Sequence, residues 1–247
     1  MEKIHGIITV RTFSSRLPNK CLLPFGEKIN VIQHIIKRCK KFNIEPILCT
    51  TIDERDDILQ TIAQNEKILF YRGSVKNKLK RWSNCVKQFQ LKDFHTVDAD
   101  DPFFDGEEMH LSMRTLREGN FDVVNPTISS SNGGASVGYS IKSKILELAL
   151  KDTNEETDTE MMWFYLEKIK NIKSHTLTET RNNPQNIRLT LDYLEDYNLL
   201  LFIQQILGNN TSRNEINKLF SKNPDLHKIN WFRNSEWKQT QESKKIK

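Results

Sequence analysis

Positive charges and hydroxyl groups are concentrated in one short segment near the beginning of the chain. Residues 10–20 read Val-Arg-Thr-Phe-Ser-Ser-Arg-Leu-Pro-Asn-Lys, and an apolar run at residues 6–10 leads into them. Consecutive backbone N–H groups, together with Arg and Lys side chains, are suited to bind phosphate oxygens. The segment therefore favours an anionic ligand such as a triphosphate, and the alternative is a set of solvated surface charges.

Negative charges are concentrated in a second segment, residues 98–102, which reads Asp-Ala-Asp-Asp-Pro. Three carboxylates within four residues repel one another, so a nearby cation would stabilise them. Carboxylate oxygens are hard ligands of the kind that Mg2+ prefers. The residues alone leave two interpretations open, a magnesium site and a solvated acidic turn before a proline.

The elements that must position these segments are predicted from hydrophobic patterning. In the first half of the chain, short apolar runs alternate with amphipathic stretches, which is typical of βαβ units and a mainly parallel sheet. Strands are predicted at residues 6–10, 46–51, 68–71 and 94–97, and helices at 31–42, 54–65, 76–90 and 107–118. Loops at the carboxyl ends of such strands line the ligand crevice, and both charged segments follow a predicted strand.

The second half of the chain is less regular. A polar loop is predicted at residues 129–134, strands at 135–141 and 187–191, and helices at 142–151, 160–170, 195–207 and 213–220. The last ten residues are predicted to be frayed. We therefore expect one α/β domain over residues 1–238, followed by a basic tail at 239–247.

Composition and charge restrict the possible classes of protein. The chain has 247 residues, of which 37% are hydrophobic and 28% charged, and this balance excludes disordered and fibrous classes. The net charge of +5 suits a nucleotide as well as nucleic acid. The four cysteines lie far apart and form no zinc or disulfide pattern. Since there is neither a signal-peptide pattern nor a long apolar run, we expect a cytoplasmic protein without membrane insertion.

The order of residues in the first charged segment resembles a family signature. Arg-x-x-Ser-x-Arg-Leu-Pro-x-Lys followed by Leu-Leu-Pro-x-Gly is similar to the N-terminal signature of the cytidylyltransferases that make CMP-sugars. That family includes the CMP-acylneuraminate and CMP-3-deoxy-manno-octulosonate synthetases and the spore coat polysaccharide biosynthesis protein F branch. The resemblance implies that Arg11, Ser14, Arg16 and Lys20 contact the CTP phosphates. It also implies that Lys20 and Arg16 are catalytic, because they would neutralise the leaving pyrophosphate.

A later segment, Tyr-Arg-Gly-Ser at residues 71–74 with Leu-Lys-Arg at 79–81, looks like the family's Phe-Arg-Gly-Ser…Leu-Asp-Arg stretch. The resemblance implies that Arg72, Ser74 and Arg81 bind the nucleotide. From the residues alone, Ser74 is equally well interpreted as the N-cap of the following helix.

The resemblance also assigns roles to the carboxylates. The family reads Gly-Asp-x-Pro where this chain has residues 99–102, which implies that Asp100 is a catalytic magnesium ligand. Asp98 falls where relatives carry a neutral polar residue, and we predict that it contacts the nucleotide. Residues 187–196 resemble the family's Arg-Leu-Thr-Val-Asp-x-Pro-Glu-Asp stretch and imply that Asp192 is the second ligand of Mg2+. The alternative for Asp192 is the N-cap of the helix that follows.

The chain departs from the family pattern in several places. The family usually has glycine at the positions of Phe13 and Asn19, and an acidic pair where residues 134–139 read Gly-Ala-Ser-Val-Gly-Tyr. The resemblance assigns the portion 128–185 to sugar binding and subunit pairing, which implies a homodimer. The methionines and aromatic residues at 161–165 are alternatively core residues.

The resemblance implies a Rossmann-like nucleotide-diphospho-sugar transferase fold, an α/β structure with a mixed, mostly parallel sheet flanked by helices. The implied reaction is transfer of CMP from CTP to a sugar or sugar acid hydroxyl with Mg2+, in surface polysaccharide or glycan biosynthesis, with no nucleic-acid partner. Two alternatives remain open. Asp98 and Asp100 also match the Asp-x-Asp of metal-dependent glycosyltransferases, and the departures at Phe13 and Asn19 leave room for a non-catalytic nucleotide-binding module.

Overall fold

The computed structural model of the chain describes residues 3–135, 137–180, 184 and 186–243, and for residues 241–243 it describes the backbone alone. Within these residues the chain forms a single sheet of seven strands. The strands are β1 (Ile4–Thr9), β2 (Ile44–Thr51), β3 (Leu69–Gly73), β4 (Asp93–Asp98), β5 (Val123–Asn125), β6 (Ser140–Lys142) and β7 (Ser174–Thr176). Their order across the sheet is β3-β2-β1-β4-β6-β5-β7.

Parallel pairing dominates one half of the sheet. β1 pairs in parallel with β2 on one side and with β4 on the other, and β2 pairs in parallel with β3. Ile7 and Ile8 of β1 and Ile47 and Leu48 of β2 are fully buried. Strands covered on both faces require such continuous apolar runs, and these are the runs that the sequence shows.

The other half of the sheet contains an antiparallel strand. β6 pairs antiparallel with both β4 and β5, and β5 pairs in parallel with β7. The sheet is therefore mixed but mostly parallel, which confirms the predicted fold class.

Helices flank the sheet on both sides. In the part of the chain that the structure describes, the α-helices are α1 (Val31–Lys41), α2 (Asp57–Asn65), α3 (Lys78–Gln88), α4 (Gly106–Glu118), α5 (Ile128–Ser131), α6 (Lys144–Ala149), α7 (Trp163–Glu167), α8 (Leu194–Leu207), α9 (Arg213–Lys222) and α10 (Arg233–Ser243). Short 3-10 helical turns lie at Lys20–Leu22, Glu54–Asp56 and Pro224–Ile229. None of the described helices has the length and apolar character needed to cross a membrane.

Two apolar cores cover the two faces of the sheet. One contains Ile8 and Leu48 together with side chains of α1, α2, α4, α8 and α9. The other contains Ile7 and Ile47 together with side chains of α3, α6 and α7. Neighbouring residues of one strand enter different cores because successive side chains point to opposite faces of a sheet.

Helix α1 shows how local sequence sets an element. The Asn30 side chain accepts the backbone N–H of Gln33, and the Gln33 side chain accepts the backbone N–H of Asn30. This capping box fixes the beginning of the helix. Ile32, Ile35 and Ile36 are fully buried, so the apolar face that the spacing predicts is the face packed on the sheet.

The prediction of a strand over residues 135–141 is wrong for most of its length. Gly138 adopts a positive φ of 78°, which an extended strand does not allow, and strand β6 begins only at Ser140. Residue 136 lies outside the described residues.

The prediction of a strand over residues 187–191 is also wrong. The backbone N–H of Leu189 donates to the carbonyl of Gly133, and that of Leu191 donates to the carbonyl of Asp100. Each N–H therefore pairs with a different segment, and no strand ladder forms.

Several element lengths also differ from the prediction. The helix predicted at 160–170 is only α7, because the Asp158 side chain accepts the N–H of Glu160 and forms a turn before it. The first residues of the polar loop predicted at 129–134 belong instead to the short helix α5. Thr127 caps the N-terminus of this helix. Strands β5 and β7, of three residues each, are absent from the prediction.

The prediction of a frayed C-terminus is wrong as far as residue 243, because α10 extends to that point. The helix is held by a buried side chain, since the Arg188 guanidinium carbon lies 5.5 Å from the Trp237 ring centre. The helix also crosses the predicted domain boundary at 238. Residues 244–247 of the predicted basic tail lie outside the described residues.

Replacing Gly138 by alanine is expected to destabilise the fold strongly. A Cβ at this position would lie 2.0 Å from the backbone carbonyl oxygen of Thr96 in β4. The positive φ alone costs about 1–2 kcal/mol for an L-residue, and overpacking adds about 1–3 kcal/mol. Urea unfolding measures the loss.

Gly208→Ala is the matched control for this substitution. Gly208 has a φ of 80°, but no atom lies within 4 Å of an added Cβ. Only the conformational cost of about 1–2 kcal/mol is expected here. Equal losses in the two variants would show that close packing of residue 138 on β4 does not constrain the fold.

Candidate active site

The carboxyl ends of β1 and β4 lie side by side, since Thr9 pairs with Asp98. The strand order reverses here, because β2 and β3 extend the sheet beyond β1 on one side and β4 lies on the other. Ligand crevices of open α/β sheets form at such a switch point. The two charged segments, residues 10–20 and 98–102, therefore leave the sheet at the same place.

One ammonium group joins these two segments to a third. Lys20 Nζ donates to Asp100 Oδ2 at 3.0 Å, to Asp192 Oδ1 at 2.8 Å and to the carbonyl of Leu191 at 2.7 Å. Arg16 Nη2 also donates to Asp192 Oδ1, at 2.6 Å. Arg16, Lys20, Asp100 and Asp192 are termed the charged cluster below. The structure brings together all four residues that the sequence analysis identifies as catalytic or metal-binding.

Burial determines how strongly these charges interact. The Asp192 side chain is 1% exposed and that of Lys20 15% exposed, so solvent screens their attraction weakly. Burial by itself lowers the pKa of Lys20, but the charges of Asp100 and Asp192 outweigh burial and raise the pKa above its ordinary value. Burial by itself raises the pKa of Asp192, but Lys20, Arg16 and Arg188 reverse this effect and lower it. Both groups are therefore charged at neutral pH.

The two other aspartates of this segment are less acidic than usual. Burial, together with the charge of Asp100, raises the pKa of Asp98 to about 6 and that of Asp101 well above its ordinary range. Asp101 Oδ1 accepts a hydrogen bond from the Thr190 hydroxyl at 2.5 Å. Burial and the neighbouring carboxylates therefore both favour the neutral form of Asp101.

A fully buried ion pair fixes the position of Asp192. Arg188 donates to both carboxylate oxygens of Asp196, at 2.9 and 3.0 Å. Asp196 Oδ2 also accepts the backbone N–H groups of Asp192 and Tyr193, at 2.9 and 3.0 Å. Since Arg188 Nη2 lies 3.4 Å from Asp192 Oδ2, the pair holds both the backbone and the carboxylate of Asp192.

The alternative interpretation of Asp192, as the N-cap of the following helix, does not agree with the structure. Helix α8 begins at Leu194, and the Asp192 carboxylate is bonded to the cations Arg16 and Lys20. Tyr193 stands at the N-cap position. The carboxylate therefore faces the charged cluster.

The C-terminal part of the chain supports the same ion pair. Asn230 Nδ2 donates to the carbonyl of Arg188 and to Asp196 Oδ1, both at 2.9 Å. Asn230 is fully buried. The segment that leads into α10 therefore contributes to the position of a site built mainly from β1, β4 and the segment before α8.

A second buried carboxylate, Asp56, organises the loop that follows β1. Asp56 Oδ1 accepts the backbone N–H of Thr12 at 2.7 Å and its hydroxyl at 2.8 Å. Asp56 Oδ2 accepts the hydroxyls of Thr50 and Thr51 at the end of β2. The sequence gives no signal for this role, because Asp56 lies among the other acidic residues of the segment 53–57.

Arg11 and Ser14 lie in the same loop but outside the charged cluster. Arg11 is exposed, and its Nη2 lies 3.7 Å from Glu160 Oε2. Ser14 Oγ accepts the backbone N–H of Leu17 at 3.4 Å. Their roles as phosphate contacts stay predictions.

The two departures from the glycine pattern of this loop have local explanations. Asn19 adopts a left-handed conformation with φ of 55°, which Asn tolerates better than most residues. Phe13 does not have a positive φ and is 55% exposed, with the Arg55 guanidinium 4.9 Å from its ring centre. The backbone at position 13 therefore does not need glycine, and asparagine takes the left-handed conformation at position 19.

Arg72, Ser74 and Arg81 lie at the end of β3 and the beginning of α3, and the structure does not place them in the charged cluster. Arg72 donates to the carbonyls of Thr51 and Asp53, both at 2.9 Å. Arg81 Nη1 donates to the carbonyl of Ser74 at 2.6 Å. Both arginines therefore shape loops at this edge of the sheet, and their contact with nucleotide stays a prediction.

The N-cap of α3 is Asn77, whose side chain accepts the N–H of Lys80. Ser74 Oγ accepts the backbone N–H of Asn77, so Ser74 shapes the turn before the helix. The alternative that Ser74 is the N-cap is therefore wrong, because the N-cap lies three residues later.

The predicted sugar-binding and dimer portion contains much of one core. Met162 and Leu166 are buried there, and Trp163 and Tyr165 pack against the same core. This arrangement agrees with the alternative that the methionines and aromatic residues of this segment are core residues. Subunit pairing stays a prediction.

The oxygen atoms of the charged cluster fit a divalent cation. Asp100 and Asp192 each direct a carboxylate oxygen at the same ammonium group, and Leu191 adds a carbonyl oxygen. Mg2+ commonly takes one or two carboxylates and completes its coordination with water and substrate phosphates. The described residues contain no group of three or more His, Cys, Asp or Glu side chains that could hold a metal. A metal bound here therefore needs oxygens of the ligand.

A family model described as cytidylyltransferase matches residues 5–226, a range that includes the whole charged cluster. The chain belongs to the cytidylyltransferase family. It is therefore a CTP-dependent nucleotidyltransferase. The family predicted from the signature at residues 11–20 is confirmed.

Two relatives are similar to this cytidylyltransferase over most of their length. An uncharacterized protein of Methanocaldococcus jannaschii is 29% identical over 233 residues, which cover 92% of this chain and 94% of that protein. The spore coat polysaccharide biosynthesis protein SpsF of Bacillus subtilis is 24% identical over 238 residues, which cover 91% of this chain and 97% of that protein.

Solved structures show the same fold. A cytidylyltransferase from Leptospira borgpetersenii superposes with a TM-score of 0.79 at 22% identity and covers 92% of this chain and 97% of its own. A CMP:2-keto-3-deoxy-manno-octonic acid synthetase complexed with CTP superposes with a TM-score of 0.62 at 15% identity, covering 83% and 99%.

Asp196→Asn is expected to lower the free energy of unfolding by about 3 kcal/mol, because it leaves the buried Arg188 charge poorly compensated. Urea unfolding measures the effect. Glu195→Gln is the control, since Glu195 pairs with Arg233 in a solvent-accessible contact that contributes less than about 1 kcal/mol. Similar losses in both variants would contradict a special role for the buried pair.

Asp56→Asn is expected to weaken CTP binding about tenfold, since an amide cannot accept all four hydrogen bonds and each charge-assisted bond contributes about 1.5–3 kcal/mol. The loop that carries Arg16 and Lys20 would lose its attachment to β2. Titration with CTP measures the affinity, and circular dichroism checks the fold.

Asp53→Asn is the matched control for Asp56→Asn. Asp53 is bonded to Arg55, which is largely exposed, and does not contact Thr12. Unchanged affinity is expected for this variant. If Asp56→Asn also bound CTP normally, the loop would not depend on the buried carboxylate.

Proposed function

We propose that this cytidylyltransferase transfers CMP from CTP to a hydroxyl group of a sugar or sugar acid and releases pyrophosphate. The charged cluster is the observation that supports the proposal most directly, because it brings two cations and two carboxylates to the switch point of the sheet. The names of two similar proteins, a CMP-sugar-acid synthetase and a spore coat polysaccharide biosynthesis protein, support a role in surface polysaccharide or glycan biosynthesis. We infer that the enzyme works in the cytoplasm as a homodimer.

The proposed roles follow from charge and position. The acceptor hydroxyl attacks the α-phosphorus and releases its proton to water. The bond from that phosphorus to the bridging oxygen breaks, and pyrophosphate leaves with the electron pair. Lys20 and Arg16 hold the pyrophosphate and stabilise its growing charge, which is the main form of catalysis in such transfers. Arg11 and Ser14, on the exposed part of the loop, add phosphate contacts.

The remaining predicted contacts have positioning roles in this proposal. Ser74 and Arg81 shape the turn between β3 and α3, and Arg72 holds the segment that follows β2. In this proposal all three lie beside the nucleotide. Asp98, at the end of β4, lies next to the charged cluster and contributes to the nucleotide pocket.

Mg2+ is the proposed cofactor, and Asp100 and Asp192 are the residues that would hold it. When bound, the metal supplies positive charge to the phosphates as a Lewis acid. The chain itself contributes the orientation of both carboxylates, which Lys20, Arg16 and Arg188 maintain.

A glycosyltransferase that uses Asp98 and Asp100 is the second candidate, because these residues form an Asp-x-Asp motif. The geometry favours Asp192 over Asp98 as the partner of Asp100, since Lys20 bridges Asp100 and Asp192. A non-catalytic module is the third candidate. The conformations of Phe13 and Asn19 speak against it, because neither position demands glycine.

Turnover separates these candidates. We would incubate the protein with each nucleoside triphosphate, Mg2+ and a panel of sugar acids, and assay pyrophosphate and the sugar nucleotide. We expect both products with CTP and at least one acceptor. Tight CTP binding without turnover would favour the module, and sugar transfer from a sugar nucleotide without pyrophosphate would favour the glycosyltransferase.

Asp100→Asn and Asp192→Asn are each expected to reduce pyrophosphate release by about 100-fold or more, because charge stabilisation of a transferring phosphoryl group is commonly that large. Asp98→Asn is expected to have a smaller effect. The exposed Asp225, which pairs with Lys228, provides the control variant Asp225→Asn. Full activity of both cluster variants would contradict the metal assignment, and a larger effect at Asp98 than at Asp192 would favour the glycosyltransferase.

A further inference from the structure

Lys20 lies between the two carboxylates that are assigned to the metal. An ammonium group has three N–H donors, and all three are used, on Asp100, Asp192 and the carbonyl of Leu191. These are the same oxygen atoms that a divalent cation would take as ligands. The ammonium and a metal ion therefore compete for one position.

The ion pairs around Asp192 contain equal numbers of positive and negative groups. Three cations face three carboxylates. The cations are Arg16, Lys20 and Arg188, and the carboxylates are Asp100, Asp192 and Asp196. A divalent cation added alone leaves an excess of positive charge where exposure is low, and a triphosphate added alone places negative charge beside two carboxylates. Uncompensated buried charges are costly, so either ligand alone is disfavoured.

We propose that Lys20 occupies the metal position until a triphosphate arrives, so that metal and nucleotide bind tightly only together. Phosphate oxygens at the loop of residues 10–20 give the Lys20 ammonium new acceptors. Its departure then frees Asp100 and Asp192 for the metal. This inference rests on the metal assignment of the proposed function and adds a coupling between the two ligands. Such coupling is reciprocal, so each ligand raises the affinity of the other by the same factor.

Arg16 differs from Lys20 in a way that provides the control. Within the charged cluster Arg16 contacts only Asp192, and its Nη1 is buried with no hydrogen-bond partner among the described residues. Arg16 can therefore gain a phosphate oxygen without leaving Asp192. Lys20 has no spare donor and must exchange its partners.

The test is the Mn2+ affinity of the protein without nucleotide, measured by electron paramagnetic resonance of the free ion. Wild-type protein is expected to bind Mn2+ weakly, and Lys20→Met at least tenfold more tightly. Arg16→Met removes one positive charge from the same carboxylate but does not vacate the bridging position, so we expect a gain of less than threefold. Lys87→Met, at a solvent-exposed lysine paired with Glu147, is expected to change nothing.

A second readout is the melting temperature, which reports stability as well as metal binding. Mn2+ without nucleotide is expected to raise the melting temperature of Lys20→Met, because the metal restores the charge that the two carboxylates lost. The same addition is expected to leave wild-type protein unchanged. Lys20→Gln, which removes the charge but keeps a hydrogen-bond donor, gives the same comparison if the methionine variant does not fold.

Equal Mn2+ affinities of wild-type protein and the Lys20 variants would overturn the inference. An equal gain in Arg16→Met would also overturn it, because charge removal alone would then explain the effect, and so would the absence of Mn2+ binding in every protein. These measurements contain neither CTP nor acceptor. Their failure would therefore leave pyrophosphate release from CTP unaffected, whereas failure of the proposed function would appear only in the turnover assay.

Discussion

The buried negative charge of Asp192 is the constraint on which the site depends. A carboxylate that is 1% exposed must be compensated, because an unpaired buried charge costs several kcal/mol. The chain supplies Lys20 and Arg16 from the loop after β1 and Arg188 from the segment before α8. These parts are far apart in sequence and have to converge for the fold to be stable. The same convergence places these charges at the switch point of the sheet, where open α/β sheets bind their ligands.

The residues that hold Asp192 in place contribute both to the stability of the fold and to the geometry of the candidate site. Asp196 and Asn230 hold Arg188 and the backbone of Asp192, and Asp56 holds the backbone of the loop that carries the two cations. Supports of this kind orient the groups that bind a metal or a phosphate and limit their movement. The described C-terminal segment therefore supports the candidate site from outside the charged cluster.

The sequence predicts the parts of the fold that depend on local patterning. The apolar runs of β1 and β2 and the spaced isoleucines of α1 identify their elements. The order of charged residues singles out Lys20, Asp100 and Asp192, which the structure brings together. Predictions fail where the structure depends on distant contacts. Residues 187–191 have the composition of a strand, but their N–H groups pair with two separate segments. The role of Asp56 depends on burial by Thr12 and the end of β2, which no local pattern reveals.

The central claim is that Asp100 and Asp192 bind a metal together with CTP phosphates held by Lys20 and Arg16. A crystal structure of the protein with CTP and Mn2+, in which anomalous scattering locates the metal, tests this most directly. We predict a Mn2+ ion within coordination distance of both carboxylates and of a phosphate oxygen, with the Lys20 ammonium on a phosphate. Bound CTP with Lys20 still between Asp100 and Asp192, and the metal elsewhere, would contradict the claim.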